Sequence, residues 1–255
     1  MPVAEARPTI DLLWFPDPVE KRRGRRPGLT VDRVIEAAVG LADAEGLEAV
    51  SMRRVAQELG VVPMTLYTYV PDKAALLDLV LDRLYLRMPR VARPERPWRE
   101  RLEGVAEENH ALYAEHPWAA TLPASRPPLG PGLAAKYEHE LRAFEGTGLD
   151  DLETDSALTY LLAFVQASAR AEADARAAVQ RTGQTDEQWW AANGPVLATV
   201  FNPETYPTAA RIGSAAGEAL GGAINPRHAY AFGLARVLDG LGVLIDSKAA
   251  SDPHR

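Results

Sequence analysis

Residues 51–73, Ser51-Met-Arg-Arg-Val-Ala-Gln-Glu-Leu-Gly60-Val-Val-Pro-Met-Thr-Leu-Tyr67-Thr-Tyr-Val-Pro-Asp-Lys73, read as a short amphipathic helix, a tight turn and a second short helix. Val55 and Leu59 are four apart and share one face of the first helix. Gly60 follows the last periodic residue, where a helix often ends in a left-handed conformation. Pro63 suits the first turn of the next helix, where its missing N–H costs nothing. Leu66 and Val70 then point inward at i and i+4. Pro63, Met64, Thr65, Tyr67, Thr68 and Tyr69 are left around the other faces. Pro71 ends this helix and Asp72 caps the next. Two helices joined in this way form a helix-turn-helix that lays its second helix in the major groove of DNA. The competing reading is a pair of structural helices with packed tyrosines. It accounts poorly for two tyrosines, two threonines and a methionine where a structural helix would carry charged, solvating residues.

The flanks extend the pattern. Thr30 to Glu45 has Val31, Val34, Ile35, Ala38, Leu41 and Ala42 on one face, with Thr30 at the N-cap position and Gly46 at the end. Asp72 to Met88 carries Leu76, Leu77, Val80 and Leu84 at helical spacing. The motif therefore sits in a run of four helices between residues 30 and 88.

A chain of 255 residues with 47% apolar residues supports one large domain or two modest ones. There is no cysteine, so disulfides, thiolate metal sites and catalytic thiols are excluded. No run approaches the roughly 18 consecutive apolar residues of a membrane span, and residues 1–28 are interrupted by proline and charge rather than forming a signal segment. A cytoplasmic protein is expected. The net charge of -7 argues at first against nucleic acid. Its distribution does not. Residues 21–73 hold nine Lys and Arg against seven Asp and Glu, whereas residues 91–255 hold fifteen against twenty-two. The basic run Lys21-Arg-Arg-Gly-Arg-Arg26, with Arg25 and Arg26 nearest the first helix, reads as an arm along phosphates or in a minor groove, or else as a solvated tail. The apolar stretch Leu12-Leu13-Trp14-Phe15 receives no role from the sequence.

Pro89 to Pro94 marks a break, after which helices are expected over 97–115, 117–122, 130–145, 151–181, 186–201 and 227–246. No strand is expected, and 202–226, rich in Gly, Pro and Ala, reads mostly as loop. The fold class is thus all-α. A flexible basic arm (1–28) and a helix-turn-helix domain (29–90) precede a second helical bundle (91–255). The helix over 227–246 spreads Leu234, Val237, Leu238, Leu241, Leu244 and Ile245 widely around its axis and needs burial on more than one side.

Gly46 to Ala56, Leu59-Gly60-Val61, Thr65-Leu66-Tyr67 and Lys73 to Leu77 together resemble the DNA-binding domain of TetR-family repressors. Phe232 to Ile245 resembles the last helix of the tetracycline-repressor branch. The resemblance implies that Arg53 reaches a base or phosphate, and that Pro63, Met64, Thr65, Thr68 and Tyr69 face bases. It places Tyr67 and Lys73 on phosphates. Arginine reads guanine bidentately, and Met and Thr methyls touch thymine, so the roles are chemically sensible. It also implies a homodimer paired through two long helices, with recognition helices about one DNA turn apart on a near-palindromic operator.

A small-molecule effector follows from the same resemblance. The 97–115 helix carries Trp98, Leu102, Val105, Asn109 and Leu112 in one stripe. Asn109 is either a satisfied core residue or a ligand hydrogen bond inside the bundle. Tyr113, Trp118, Phe144, Tyr160, Phe164, Gln166, Trp189 and Trp190 complete the candidates, an aromatic set suited to a flat, partly apolar effector. Tetracycline repressors hold their drug as a magnesium chelate through two histidines and an acid. Pro89 and Pro123 stand where those histidines belong, so no metal site and no cofactor are expected. A DNA-binding regulator without effector is the alternative function. A helical enzyme is the remote one, resting on Asp150, Asp151, Glu153 and Asp155, which helix capping explains more simply.

Overall fold

The computed structural model describes residues 8–15, 29–122, 126–222 and 225–251; among these no strand occurs. The helices are α1 (Thr9–Trp14), α2 (Val31–Glu45), α3 (Met52–Glu58), α4 (Pro63–Tyr67), α5 (Lys73–Arg87), α6 (Trp98–Glu115), α7 (Pro131–Arg142), α8 (Asp151–Thr182), α9 (Asp186–Val200), α10 (Pro207–Leu220) and α11 (Pro226–Ser251). Short 3-10 turns cover Leu47–Ala49 and Pro117–Thr121. The chain divides into two compact units, Met1–Leu158 and Thr159–Arg255. The first unit holds α6 and α7, which the sequence groups with the effector bundle, together with the helices expected to bind DNA.

Local chemistry sets the boundaries of α2 to α5. Thr30, Ser51 and Asp72 accept the Arg33, Arg54 and Ala75 N–H groups as N-caps, each contributing about 1 kcal/mol. Gly60 has φ +67°, so the turn between α3 and α4 uses a conformation that side chains rarely adopt. Val34, Val55, Leu66, Val70 and Leu76 are fully buried and form the core of this bundle. Arg83 of α5 bonds Asp32 and Glu36 of α2, and Arg87 reaches Glu36 at 2.6 and 2.9 Å.

The apolar stretch without a sequence role is α1. Leu12 and Leu13 are buried, α1 packs on α5, and the Trp14 indole N–H donates to the Leu129 carbonyl at 2.7 Å. Residues 9–14 are therefore anchored helix, whereas the sequence reading includes them in a flexible arm.

At the end of α6 the chain turns back onto α2. Asp43 Oδ1 accepts from the Trp118 indole and from His116 Nδ1, each at 2.7 Å. In the second unit, the 202–226 segment read as loop contains α10. Pro207 starts it and Gly221, at φ +69°, closes it. The internal glycines lower helix propensity and hide the helix, while Ala209, Ala210, Ala215 and Ala216 restore it. α11 is long and apolar enough to cross a membrane by length and composition alone. Val237, Leu238, Leu241 and Ile245 are buried at helical spacing, so one stripe of the helix is packed while Phe232 and Val243 stay exposed.

Leu12→Ala should lower the unfolding free energy by about 2–3 kcal/mol, the ordinary cost of emptying a buried leucine site, measured by urea denaturation. A loss of only a few tenths would show that α1 contributes no packing.

Candidate nucleic-acid interface

α4 is five residues long and has one buried anchor, Leu66. With Leu66 and Val70 fixed inward at 0% exposure, the rest of the segment turns outward. Met64 is 75% exposed, Val62 65% and Tyr67 46%. Pro63 and Thr68 are also exposed, and Thr65 and Tyr69 are half-buried. The Thr68 hydroxyl donates to the Thr65 carbonyl at 2.7 Å, so it is spent on its own helix and its methyl is the part free for a base. Val62 is a surface residue that the sequence reading missed, having counted it as turn. The only signal for it was a β-branched residue left before a helix-starting proline.

Two adjacent arginines of α3 part company. Arg54 is tied to Glu45 at 2.5 Å. Arg53 is exposed and makes no ion pair among the described residues, and the same holds for Lys73 at the start of α5. These two cations flank the uncharged stretch 61–71 and remain available for phosphate or guanine. Arg25 and Arg26, with the rest of the basic run, lie outside the described residues, as does Pro123.

The residues expected to touch an effector fall in both units. Leu102 and Phe144 are buried hydrophobic core, and Trp98 is half-buried. Trp118 is committed to Asp43, a structural use that only the fold reveals. Tyr160 and Trp189 are exposed. Phe164 stacks on Tyr230 with ring centres 5.9 Å apart, and Gln166 is half-buried. Trp190 lines a cleft of about 540 Å³ between α9 and α10, with Leu197, Phe201 and a floor that includes Gly213 and Gly217.

Asn109 and Tyr113 belong to a buried polar cluster joining α5, α6 and α7. Lys136 Nζ lies 2.7 and 2.8 Å from the Glu140 carboxylate and 5.2 Å from the centre of the Tyr85 ring. Asn109 Nδ2 donates to Glu140 Oε1 at 2.6 Å and to the Val105 carbonyl at 2.9 Å. Asn109 Oδ1 is buried without a hydrogen-bond partner among the described residues. Asn109 is therefore half satisfied by the protein, with one strong acceptor left over. Desolvation pushes the Lys136 ammonium down and the Tyr85 phenol far up; it pushes Tyr113 up to about 12, with Glu140 adding repulsion. Among the described residues no group of three or more His, Asp or Glu is arranged to hold a metal ion.

The model of bacterial regulatory proteins of the tetR family matches residues 34–80, and that of the tetracyclin repressor-like C-terminal domain matches residues 91–245. The chain is 43% identical over 245 residues, 93% of its length and 86% of the relative's, to the HTH-type transcriptional repressor DrrR1 of Streptomyces coeruleorubidus. Apo ActR from Streptomyces coelicolor superposes with a TM-score of 0.68 at 25% identity, over 88% of this chain and 99% of that one. ActR in complex with (S)-DNPA gives 0.66 at 27% identity over 84% and 98%. ActR in complex with actinorhodin gives 0.67 at 26% identity over 85% and 96%.

Arg53→Ala should weaken DNA binding by about 1–3 kcal/mol, and Lys73→Ala should lower the salt-dependence slope by about one, both read by fluorescence anisotropy across a salt series. Retention of full affinity in both variants would remove this surface from the interface. The phenols give a pH prediction. Tyr113 has a folded pKa raised above its unfolded value of about 10. Its contribution to stability is complete below pH 10 and is lost as pH climbs through about 12. Urea midpoints measured between neutrality and pH 12 should fall less steeply in Tyr113→Phe than in the parent.

Proposed function

The chain belongs to the TetR family of bacterial regulatory proteins, and we propose that it is a ligand-responsive transcriptional repressor. It acts in the cytoplasm as a homodimer on a near-palindromic operator and is released by a small aromatic or polycyclic molecule. The observation that carries this reading is the exposed, uncharged α4 surface, with Val62, Met64 and Tyr67 outward, together with the exposed Arg53 of α3, which makes no ion pair among the described residues. Exposed apolar side chains on protein surfaces of this kind mark contact sites. Here the contact is with base edges in a major groove.

Dimerisation supplies what one α4 lacks. Five residues read only a few base pairs, and a two-fold pair reads two half-sites about 34–36 Å apart. Tyr160, Phe232 and Val243 on α8 and α11 are exposed and apolar, as a subunit interface requires. The effector reading is supported by the ligand complexes of ActR and by the spare acceptor of Asn109, which suits a hydroxyl or amide donor. The effector stabilises a conformer whose recognition helices no longer match the groove spacing, and by linkage DNA weakens effector binding by the same factor. Regulation by binding, rather than turnover, is the activity.

A gel shift with DNA flanking the gene, with Arg53→Ala and Tyr67→Ala as controls, tests the first half. A shift that both substitutions abolish is expected. Actinorhodin titrated into the complex at constant salt tests the second half by releasing the DNA. Operator affinity unchanged by every aromatic compound tried would leave a DNA-binding regulator without effector.

A further inference from the structure

The N-terminus of α7 is closed by a side chain from another helix. Asp82 of α5 is buried, and its carboxylate oxygens accept from the Gly132 N–H at 3.1 Å and the Leu133 N–H at 2.8 Å. Those N–H groups have no partner within their own helix, so the carboxylate does for α7 what an N-cap residue would do. The approach is close enough to exclude side chains. A Cβ on Gly130 would lie 2.5 Å from the Asp82 carboxylate, and one on Gly132 would lie 2.0 Å from the Asp82 carbonyl oxygen. α7 therefore meets α5 backbone to backbone at one point. One residue before Gly130, the Leu129 carbonyl is held by the Trp14 indole of α1, which itself packs on α5. One residue after Asp82, Arg83 bonds Asp32 and Glu36 of α2. Neighbouring residues of one helix thus tie α7 on one side and the DNA-binding bundle on the other.

We infer that Asp82 is the positioning residue that transmits the pose of α7 to α5 and so to the recognition helix α4. The inference rests on the repressor reading and adds the joint through which the second half of the chain acts on operator fit. α5 follows α4 after only residues 68–72, and Leu66, Val70, Leu76 and Val80 are all buried, so this short connection hands the pose of α5 on to α4. The glycine gap forbids sliding, because any displacement drives backbone into backbone. The buried carboxylate forbids separation, because parting would leave it without donors. A joint closed to sliding and to parting has one setting, and α7 and α5 move as a pair.

Three variants test this. Asp82→Asn keeps the shape but turns one acceptor into a donor facing an N–H. Gly132→Ala leaves the carboxylate and intrudes on the backbone contact. Trp14→Phe cuts only the outer hydrogen bond on Leu129. Each is first checked for helix content and thermal unfolding. Each is then assayed against the duplex that the wild-type protein selects from a random pool, against versions with the half-site spacing lengthened or shortened by one base pair, and against an unselected duplex. Asp82→Asn and Gly132→Ala should weaken selected binding about tenfold, an ordinary allosteric coupling, and shift the preferred spacing while leaving unselected binding unchanged. Trp14→Phe should move both readouts in the same direction by less. It keeps the test alive if the other two do not fold. Unchanged spacing preference with wild-type affinity in folded variants would overturn the inference and leave the cap as local support for α7. Equal losses on selected and unselected DNA would overturn it as well. A wild-type protein that selects no sequence would bring down the repressor reading itself, and the inference with it, before any variant is compared.

Discussion

α1, α2 and α7 all pack on α5, and α5 is held by charge on two sides. On the α2 side, Arg83 and Arg87 meet Asp32 and Glu36; on the α7 side, Asp82 meets two backbone N–H groups. The two contacts differ in kind. The arginine pairs are partly exposed, screened by salt, and worth little individually. The Asp82 contact is buried, and desolvation raises the pKa of its carboxyl even though the Gly132 and Leu133 N–H groups and Arg83 pull it down. Burial thus costs more here than the hydrogen bonds return to the charged form. Such a contact is poor as a source of stability and good as a source of definite geometry.

The Lys136–Glu140 pair repeats the theme one turn further along α7. Both side chains are almost fully buried, and Asn109 adds a third member from α6. A buried pair of this kind seldom beats a well-packed apolar substitute, yet breaking it leaves an uncompensated charge at a cost of about 3–5 kcal/mol. Helices α6 and α7 are therefore locked in register by polarity rather than by packing alone. The leftover Asn109 oxygen is where that polar network ends without a partner among the described residues, a place where an added hydroxyl or amide would gain a hydrogen bond without breaking another.

How much of this was legible in the sequence follows from the range of each interaction. Caps and periodic apolar residues act within four positions, so Thr30, Asp72, Gly60, Leu66 and Val70 could be read directly, and α2 to α5 with them. The outward set on α4 followed by elimination, except Val62, which precedes the helix. The contacts that organise the rest join residues far apart in the chain: Trp118 to Asp43, Asp82 to Gly132, Trp14 to Leu129. No local pattern announces them. Trp118 looked like a ligand contact because an aromatic near a helix end has the same signature in either role. Gly130 and Gly132 fall within the helix expected over 130–145, and nothing local shows that, at an ordinary φ, their purpose is room for Asp82. α10 was hidden because glycine-rich sequence reads as loop until the alanines between the glycines are given their weight.

On the proposed reading, the chemistry of α4 decides how finely the joint at Asp82 must be set. Between Val61 and Pro71 there is no charged residue, so contact with bases depends on methyl packing, Tyr and Thr oxygens and the few cations at the flanks. Dispersion and hydrogen bonding fade within about an ångström of misfit. Attraction between cations and phosphates persists to about the Debye length, roughly 8–10 Å at ordinary salt. A small displacement of α4 therefore removes specific contacts first and leaves the electrostatic ones nearly intact. On the proposed reading, release of the operator then needs no large motion, because an effector that shifts α5 slightly removes the specific contacts first. The acidic excess beyond residue 91 works in the same direction on that reading, since the second half of the chain contributes repulsion in place of further phosphate contacts.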